Sequence, residues 1–312
     1  MELSWILFQK ILSMVLMLAI GYVLVKTKKM STDQSAALSA IMLWVVTPCI
    51  MLTSLQQTFE MEKLKALLYL FGAVILIHIL FIALASFLKK ALKLDTVEQI
   101  CLVYSNGGNL IVPLVTALLG KEFILFGIPF LVVQTTLFWT HVIRLYDPNT
   151  PVNLKKILLN PNILAIAAGL ILFFLNIRLP KPALDLCDAM TGMAGPLSML
   201  MIGMLSAGLD WKKTLTDRRV WLVCFGRLMA FPLLFLLLLA ASRISAQSVL
   251  LHQAFLVTSL AICAPVAATV VQMADSFGSL KQAELASAVN VLSTILCVVT
   301  MPLLIGVYQL LC

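Results

Sequence analysis

Charged residues are scarce in this chain, making up 12% of its 312 residues where a soluble domain carries about a quarter. That deficit excludes a water-soluble globule, and the lack of any long polar segment leaves no room for a separate soluble catalytic or nucleic-acid-binding domain. Metal and hydrolase signatures are missing as well. No CxxC pair, zinc motif, GxSxG or paired intramembrane aspartates occur, so the signatures of zinc, serine-hydrolase and aspartyl chemistry are absent. No Asp or Glu falls in the middle of a long apolar run. A proton relay built on a carboxylate has no carrier there, and a cationic substrate has no counter-charge.

What remains is apolar: 62% of the residues are hydrophobic and the mean hydropathy is +1.05. A helix needs roughly 20 apolar residues to cross the hydrocarbon core. Ten segments are predicted to do so, at 5–25, 35–55, 66–88, 98–119, 123–143, 161–177, 189–209, 220–240, 249–272 and 285–310. The class expected is an all-α, polytopic membrane protein of the plasma or inner membrane. The first segment has no basic region before it and is too long for a cleaved signal peptide, so it reads as a retained span. The seven cysteines, Cys49, Cys101, Cys187, Cys224, Cys263, Cys297 and Cys312, lie mostly inside apolar runs and read as small packing residues.

Lysine and arginine fall unevenly between the loops. Those after the odd-numbered spans hold Lys26, Lys28, Lys29, Lys89, Lys90, Lys93, Arg144, Lys155, Lys156, Lys212, Lys213, Arg218, Arg219 and Lys281. The alternate loops hold only Lys63, Lys65, Lys121, Arg178, Lys181 and Arg243. The basic side is expected to be cytoplasmic, with both termini outside. This asymmetry accounts for much of the net charge of +8 without invoking nucleic acid as a partner.

Prolines inside the apolar runs reveal an internal order. Pro48 and Pro113 recur at a near-constant offset as Pro196 and Pro265, dividing the chain into five-span halves at 1–145 and 161–312, joined by a turn-rich cytoplasmic linker at 146–160. Five is odd, so the second half enters the membrane from the opposite side and the repeats are inverted, an arrangement of secondary transporters. Span 4 contains Asn106-Gly107-Gly108-Asn109 and then Pro113. An interior Gly costs a helix about 1 kcal/mol and an interior Pro about 3, so this segment is expected to unwind. Span 9 carries Cys263-Ala264-Pro265 without glycine or asparagine, a weaker break. With Pro113 and Pro265 each in the first turn of a new half-helix, two positive helix ends would converge on an anion. The candidate substrate site is therefore Asn106, Gly107, Gly108, Asn109, Pro113, Cys263, Ala264 and Pro265. Thr47, Pro48 and Pro196 read as hinge or supporting residues. Gly203 and Gly208 suit close helix packing.

Few ionisable groups lie inside the spans. Lys10 is close enough to an end to snorkel. Arg227 lies deeper in span 8 and His78 near the middle of span 3, and both are candidates for structure or function. His141 and His252 fall near span ends.

The order of Gly21-Tyr22, Val46-Thr47-Pro48-Cys49-Ile50-Met51-Leu52, Asn106-Gly107-Gly108-Asn109-Leu110-Ile111-Val112-Pro113, Gly195-Pro196-Leu197 with Ile202-Gly203, Ala264-Pro265-Val266-Ala267, Ala286-Ser287 and Leu292-Ser293-Thr294 through Pro302 resembles the auxin efflux carrier family of bacteria and plants. More distantly, it is similar to the bile-acid sodium symporter fold. The resemblance implies ten helices as two inverted five-helix repeats, with helices 4 and 9 broken where they cross. It also implies elevator-type export or uptake of organic anions, including auxins and dicarboxylates, by a crossover domain (spans 3–5 and 8–10) moving against a scaffold (spans 1, 2, 6 and 7). Asn106 matches the family's crossover asparagine, Gly108 the glycine two positions on, and Pro113 and Pro265 the crossover prolines. Asn109 departs from the larger apolar residue of many bacterial relatives, and Ala267, Ala268 and Thr269 stand where polar residues are frequent. The expected function is secondary transport of a small carboxylate, the alternatives being a sodium-coupled symporter of a bile-acid-like anion and an anion channel. No cofactor or bound metal is expected, the coupling ion (sodium or proton) is left open, and a homodimer is compatible with this reading.

Overall fold

The computed structural model describes residues 2–108, 110–149, 155 and 158–312. Asn109 and most of the centre of the 146–160 linker lie outside the described residues. Among those described, seven helices are long and apolar enough to cross a membrane. They are α1 (Glu2–Lys26), α2 (Thr32–Ser54), α3 (Met61–Leu92), α6 (Lys121–Tyr146), α8 (Lys181–Ala207), α10 (Arg218–Ser242) and α13 (Leu280–Leu311). The shorter helices are α4 (Thr96–Val103), α5 (Ile111–Leu118), α7 (Pro161–Phe174), α9 (Trp211–Thr216), α11 (Val249–Cys263) and α12 (Ala268–Phe277). The protein is an all-α, polytopic membrane protein.

Local chemistry explains where these helices begin and bend. Asn160 caps α7 by accepting a hydrogen bond from the Asn162 N–H, and Pro161 fills the first helical position, where no N–H is needed. Helix α13 opens on a capping box between Ser279 and Gln282. Two long helices loosen into a π-helical turn just before an internal proline. These turns are Met42–Val46 ahead of Pro48 in α2 and Gly226–Ala230 ahead of Pro232 in α10. A wider turn accommodates the ring that would clash with the preceding turn of an α-helix. In α2 the hydroxyl of Thr47 donates to the Met42 carbonyl at 2.8 Å, using an acceptor within the loosened turn. Helix α8 is interrupted at Met193, so Pro196 falls in the first turn of its second segment, Ala194–Ala207.

Helix α1 packs along α8 and α13, α7 and the first segment of α8 pack on α2, and α3 packs on α4 and α6. The α1–α8 contact brings backbone against backbone. A Cβ at Gly203 would strike the Leu18 carbonyl oxygen, and one at Gly21 would strike that of Leu200. Small residues permit this approach where lipid leaves helices no hydrophobic reason to associate. Gly203→Leu and Gly21→Leu are expected to destabilise the protein by about 1–3 kcal/mol, the range for overpacking. Gly72→Ala, with nothing within 4 Å of the added carbon, should leave the melting temperature unchanged or raise it. Thermal unfolding of the purified chain in detergent checks the contrast.

Candidate functional site

Helix α4 ends at Val103 and its continuation α5 starts at Ile111; α11 ends at Cys263 and its continuation α12 starts at Ala268. The two interruptions meet. The Asn106 N–H donates to the Pro265 carbonyl at 2.7 Å, and the Ala267 N–H donates to the Tyr104 carbonyl at 3.1 Å. Ser105 therefore stands opposite Val266 in a one-residue antiparallel bridge, and the backbone groups of that pair face away from each other. Side chains complete them. Gln134 of α6 accepts from the Ser105 N–H at 3.1 Å and donates to its carbonyl at 2.8 Å. On the other flank, Ser293 of α13 accepts from the Val266 N–H at 3.1 Å and Asn290 donates to its carbonyl at 2.7 Å. Ser105 Oγ donates to the Ala261 carbonyl at 2.7 Å. Unwound backbone persists at membrane depth only when it is satisfied in this way.

Arg227 closes one side of the crossing. It lies in the π-helical turn of α10 and is 1% exposed. Its Nη1 donates to the carbonyls of Leu102 at 3.3 Å and Val103 at 3.1 Å, its Nε to that of Ala264 at 3.2 Å, and its Nη2 to that of Ile262. These carbonyls lie at or just past the C-terminal ends of α4 and α11, where both helix dipoles are negative. Arg227 is thus a structural clamp that spends its charge on two helix C-termini.

The opposite ends are uncapped. Neither Leu110, before α5, nor Ala267, before α12, makes a side-chain capping bond. Pro113 is the third residue of α5, as a first-turn proline should be. Pro265 differs from the expectation that it opens a half-helix: α12 begins at Ala268, three residues later. A proline disfavours helical backbone in the residue before it, and Ala264 is extended, with φ −67° and ψ 154°. Pro265 instead belongs to the bridge and supplies its carbonyl to Asn106.

A cavity of about 400 Å³ lies at the crossing. Asn106, Gly108 and Thr47 line it, together with Ser105, Gln134, Asn160, Asn162, Ala267, Ala268, Thr269 and Gln272, and with Phe138, Trp139 and Phe277 as aromatic walls. No charged side chain lines it among the described residues. Asn106 is 4% exposed and its Nδ2 has no protein partner. Other expected residues lie beside the cavity. Gly107 packs on the Phe130 ring and Pro113 on Gly195. Cys263 and Ala264 are fully buried at the end of α11 that Arg227 holds. Pro48 and Pro196 are in the loosened or interrupted parts of α2 and α8. His78 donates from Nδ1 to the Val74 carbonyl at 2.8 Å and lies 5.3 Å from the Phe130 ring, a packed core histidine. Asn109 is outside the described residues. The bridge partners Ser105, Gln134, Asn290 and Ser293 were not singled out from the sequence; a carboxamide in mid-span, at Gln134 and Asn290, was the available signal.

A larger cavity of about 590 Å³ lies elsewhere, among Lys93, Asp95, Glu98, Lys213, Arg219 and Glu284. Its charges are largely satisfied by one another, through Arg219–Glu98 at 2.8 Å and Lys213–Glu284 at 3.2 Å. With Lys281, Asp210 and Asp217 also in its lining, the two signs are nearly balanced and no strong field of one sign is left to recruit a ligand.

Broken helices crossing inside a polytopic helical bundle, with polar backbone ends beside a cavity, make this a membrane protein of the transporter class. The family model described as membrane transport protein matches residues 6–152 and 146–305. The chain belongs to that family, the membrane transport proteins of the auxin efflux carrier type, and is a transporter rather than an enzyme. No curated protein matches it. Among the described residues no group of three His, Cys, Asp or Glu could hold a metal ion.

Replacing Arg227 with Leu would leave four buried carbonyls without their donor, and a loss of about 3–5 kcal/mol is expected, the cost of breaking a buried charged network. Arg227→Lys should recover little, because an ammonium on a single stem cannot span both helix ends as the planar fork does. The yield of monodisperse protein and its melting temperature report both.

Proposed function

We propose that the protein is a secondary carrier for a small organic anion and that the crossing of the two broken helices is its carboxylate site. One observation carries this reading. The start of α12, whose Ala267, Ala268 and Thr269 line the cavity, and the unpartnered amide of Asn106 meet in a cavity that has no charged side chain among the described residues. Helix N-termini attract anions, and a carboxylate would satisfy the buried Asn106 donor, whereas a cation would meet neither a carboxylate nor a negative helix end.

In the same reading α4–α5 and α11–α12 each form one broken crossing. With the seven long helices and α7 they complete ten spans in two inverted halves, 1–145 and 161–312. The basic loops face the cytoplasm and both termini face out. Helices α3–α6 and α10–α13 move as an elevator against α1, α2, α7 and α8. Among the described residues few polar contacts would have to break between these groups: Lys121–Asp188 at 3.3 Å, Gln57 Nε2 to the Glu122 carbonyl at 2.5 Å, and Gln272 to Ser39.

Proteoliposomes should show saturable uptake of labelled carboxylates, and preloaded substrate should accelerate it, as counterflow does for a carrier and not for a channel. Saturable uptake of organic cations with no response to any carboxylate would sink the proposal. Asn106→Ala removes a hydrogen bond to a charged group, worth about 1.5–3 kcal/mol, so the affinity should fall roughly ten- to hundredfold at normal expression. Single-cysteine labelling should find both termini outside and residues 146–149 inside; a cytoplasmic C-terminus would overturn the span count or the orientation.

A further inference from the structure

The cavity has a second pole, at the start of α7, and its chemistry is the reverse of the first. There Pro161 has no N–H to offer, and the Asn162 N–H is already taken by Asn160 Oδ1 at 2.9 Å. That helix end is capped, in contrast to α5 and α12. What it leaves unpaired is an acceptor. Asn162 lines the cavity, is 7% exposed, and its Oδ1 has no partner in the protein. A buried carboxamide oxygen without a donor carries a desolvation penalty that a ligand O–H or N–H would remove.

We infer that Asn162 is a specificity-determining residue that selects, among carboxylates, those bearing an uncharged hydrogen-bond donor at the end remote from the carboxylate. The inference rests on the carboxylate reading of the crossing. A hydroxyl or a ring N–H meets the requirement. An ammonium does not, because no acidic side chain lines the cavity to replace its hydration. A second carboxylate does not either, since it would place an acceptor against an acceptor. Trp139 and Phe138, in the lining of the same cavity, favour an aromatic body.

Equilibrium binding to the full chain in lipid nanodiscs tests this with two matched pairs of different reach: phenylacetate against 4-hydroxyphenylacetate, and 3-phenylpropanoate against 3-(4-hydroxyphenyl)propanoate. In at least one pair the hydroxylated member should bind about three- to tenfold more tightly, the range of a single neutral hydrogen bond. Asn162→Leu should abolish that margin, so that the two members of the pair bind alike. Asn162→Asp should add a preference for 4-(aminomethyl)phenylacetate that the original chain lacks, and this gain decides the matter if the leucine variant does not fold. Equal binding within both pairs, a margin that survives Asn162→Leu, no gain in Asn162→Asp, or tightest binding of 4-carboxyphenylacetate would each overturn the role of Asn162. Binding of all the acids without discrimination would leave the carboxylate site standing, whereas binding of none would remove that site and this inference together.

Discussion

Everything at the centre of this protein depends on one guanidinium that holds the ends of two broken helices. An interrupted helix in the bilayer frees carbonyls at one end and N–H groups at the other, and no water is at hand to take them. Arg227 answers the carbonyl half of that problem at both interruptions at once, through Leu102, Val103, Ile262 and Ala264. Its planar fork of five donors suits the task in a way a lysine point charge does not. The π-helical turn in which it lies belongs to a class of local irregularity that recurs at functional sites.

Settling the negative ends determines the polarity of what is left. With the carbonyl termini of α4 and α11 matched to a full positive charge, the bridge between Ser105 and Val266 is closed by Gln134, Ser293 and Asn290. The uncommitted polar groups of the cavity are then the Asn106 amide, the start of α12 and, at the start of α7, the Asn162 carboxamide oxygen. The cation does not itself line the cavity. Its contribution is to fix the C-terminal ends of α4 and α11 where the two interruptions meet.

The first interruption was legible in the sequence because its cause is local: two glycines, flanking asparagines and a proline lie within a few residues of one another. The second was harder to read because its partners are remote. Ala264, Pro265, Val266 and Ala267 contain no polar side chain, and the groups that satisfy their backbone come from Arg227, Ser293, Asn290 and the Asn106 N–H. No window along the chain contains that information. The same limit explains the shift of the helix start from Pro265 to Ala268: the proline's preference for the first turn is local, but its carbonyl was claimed by a segment more than a hundred residues away. The sixth predicted span, by contrast, begins at the same residue as α7, Pro161, since a cap and its helix are neighbours in the chain. The long apolar helices were legible from composition. The interrupted crossings, divided into pieces too short to span alone, required the pairing of distant segments.

The proposed site relies on partial charges, and that choice has a kinetic consequence. A helix end contributes about 0.3–1 kcal/mol, rising to about 2 when partly buried, and a carboxamide contributes a single hydrogen bond. A buried lysine or arginine facing a carboxylate would form a fully desolvated pair whose separation leaves two unpaired charges, at about 3–5 kcal/mol. A carrier has to release its substrate on the far side in every cycle, so contacts must be favourable enough to select an anion and weak enough to let it go. Keeping Arg227 behind the bridge, occupied with four carbonyls, provides the first property without forfeiting the second. Arg227 acts on the protein's own backbone, and at the proposed site a substrate would meet only partial charges.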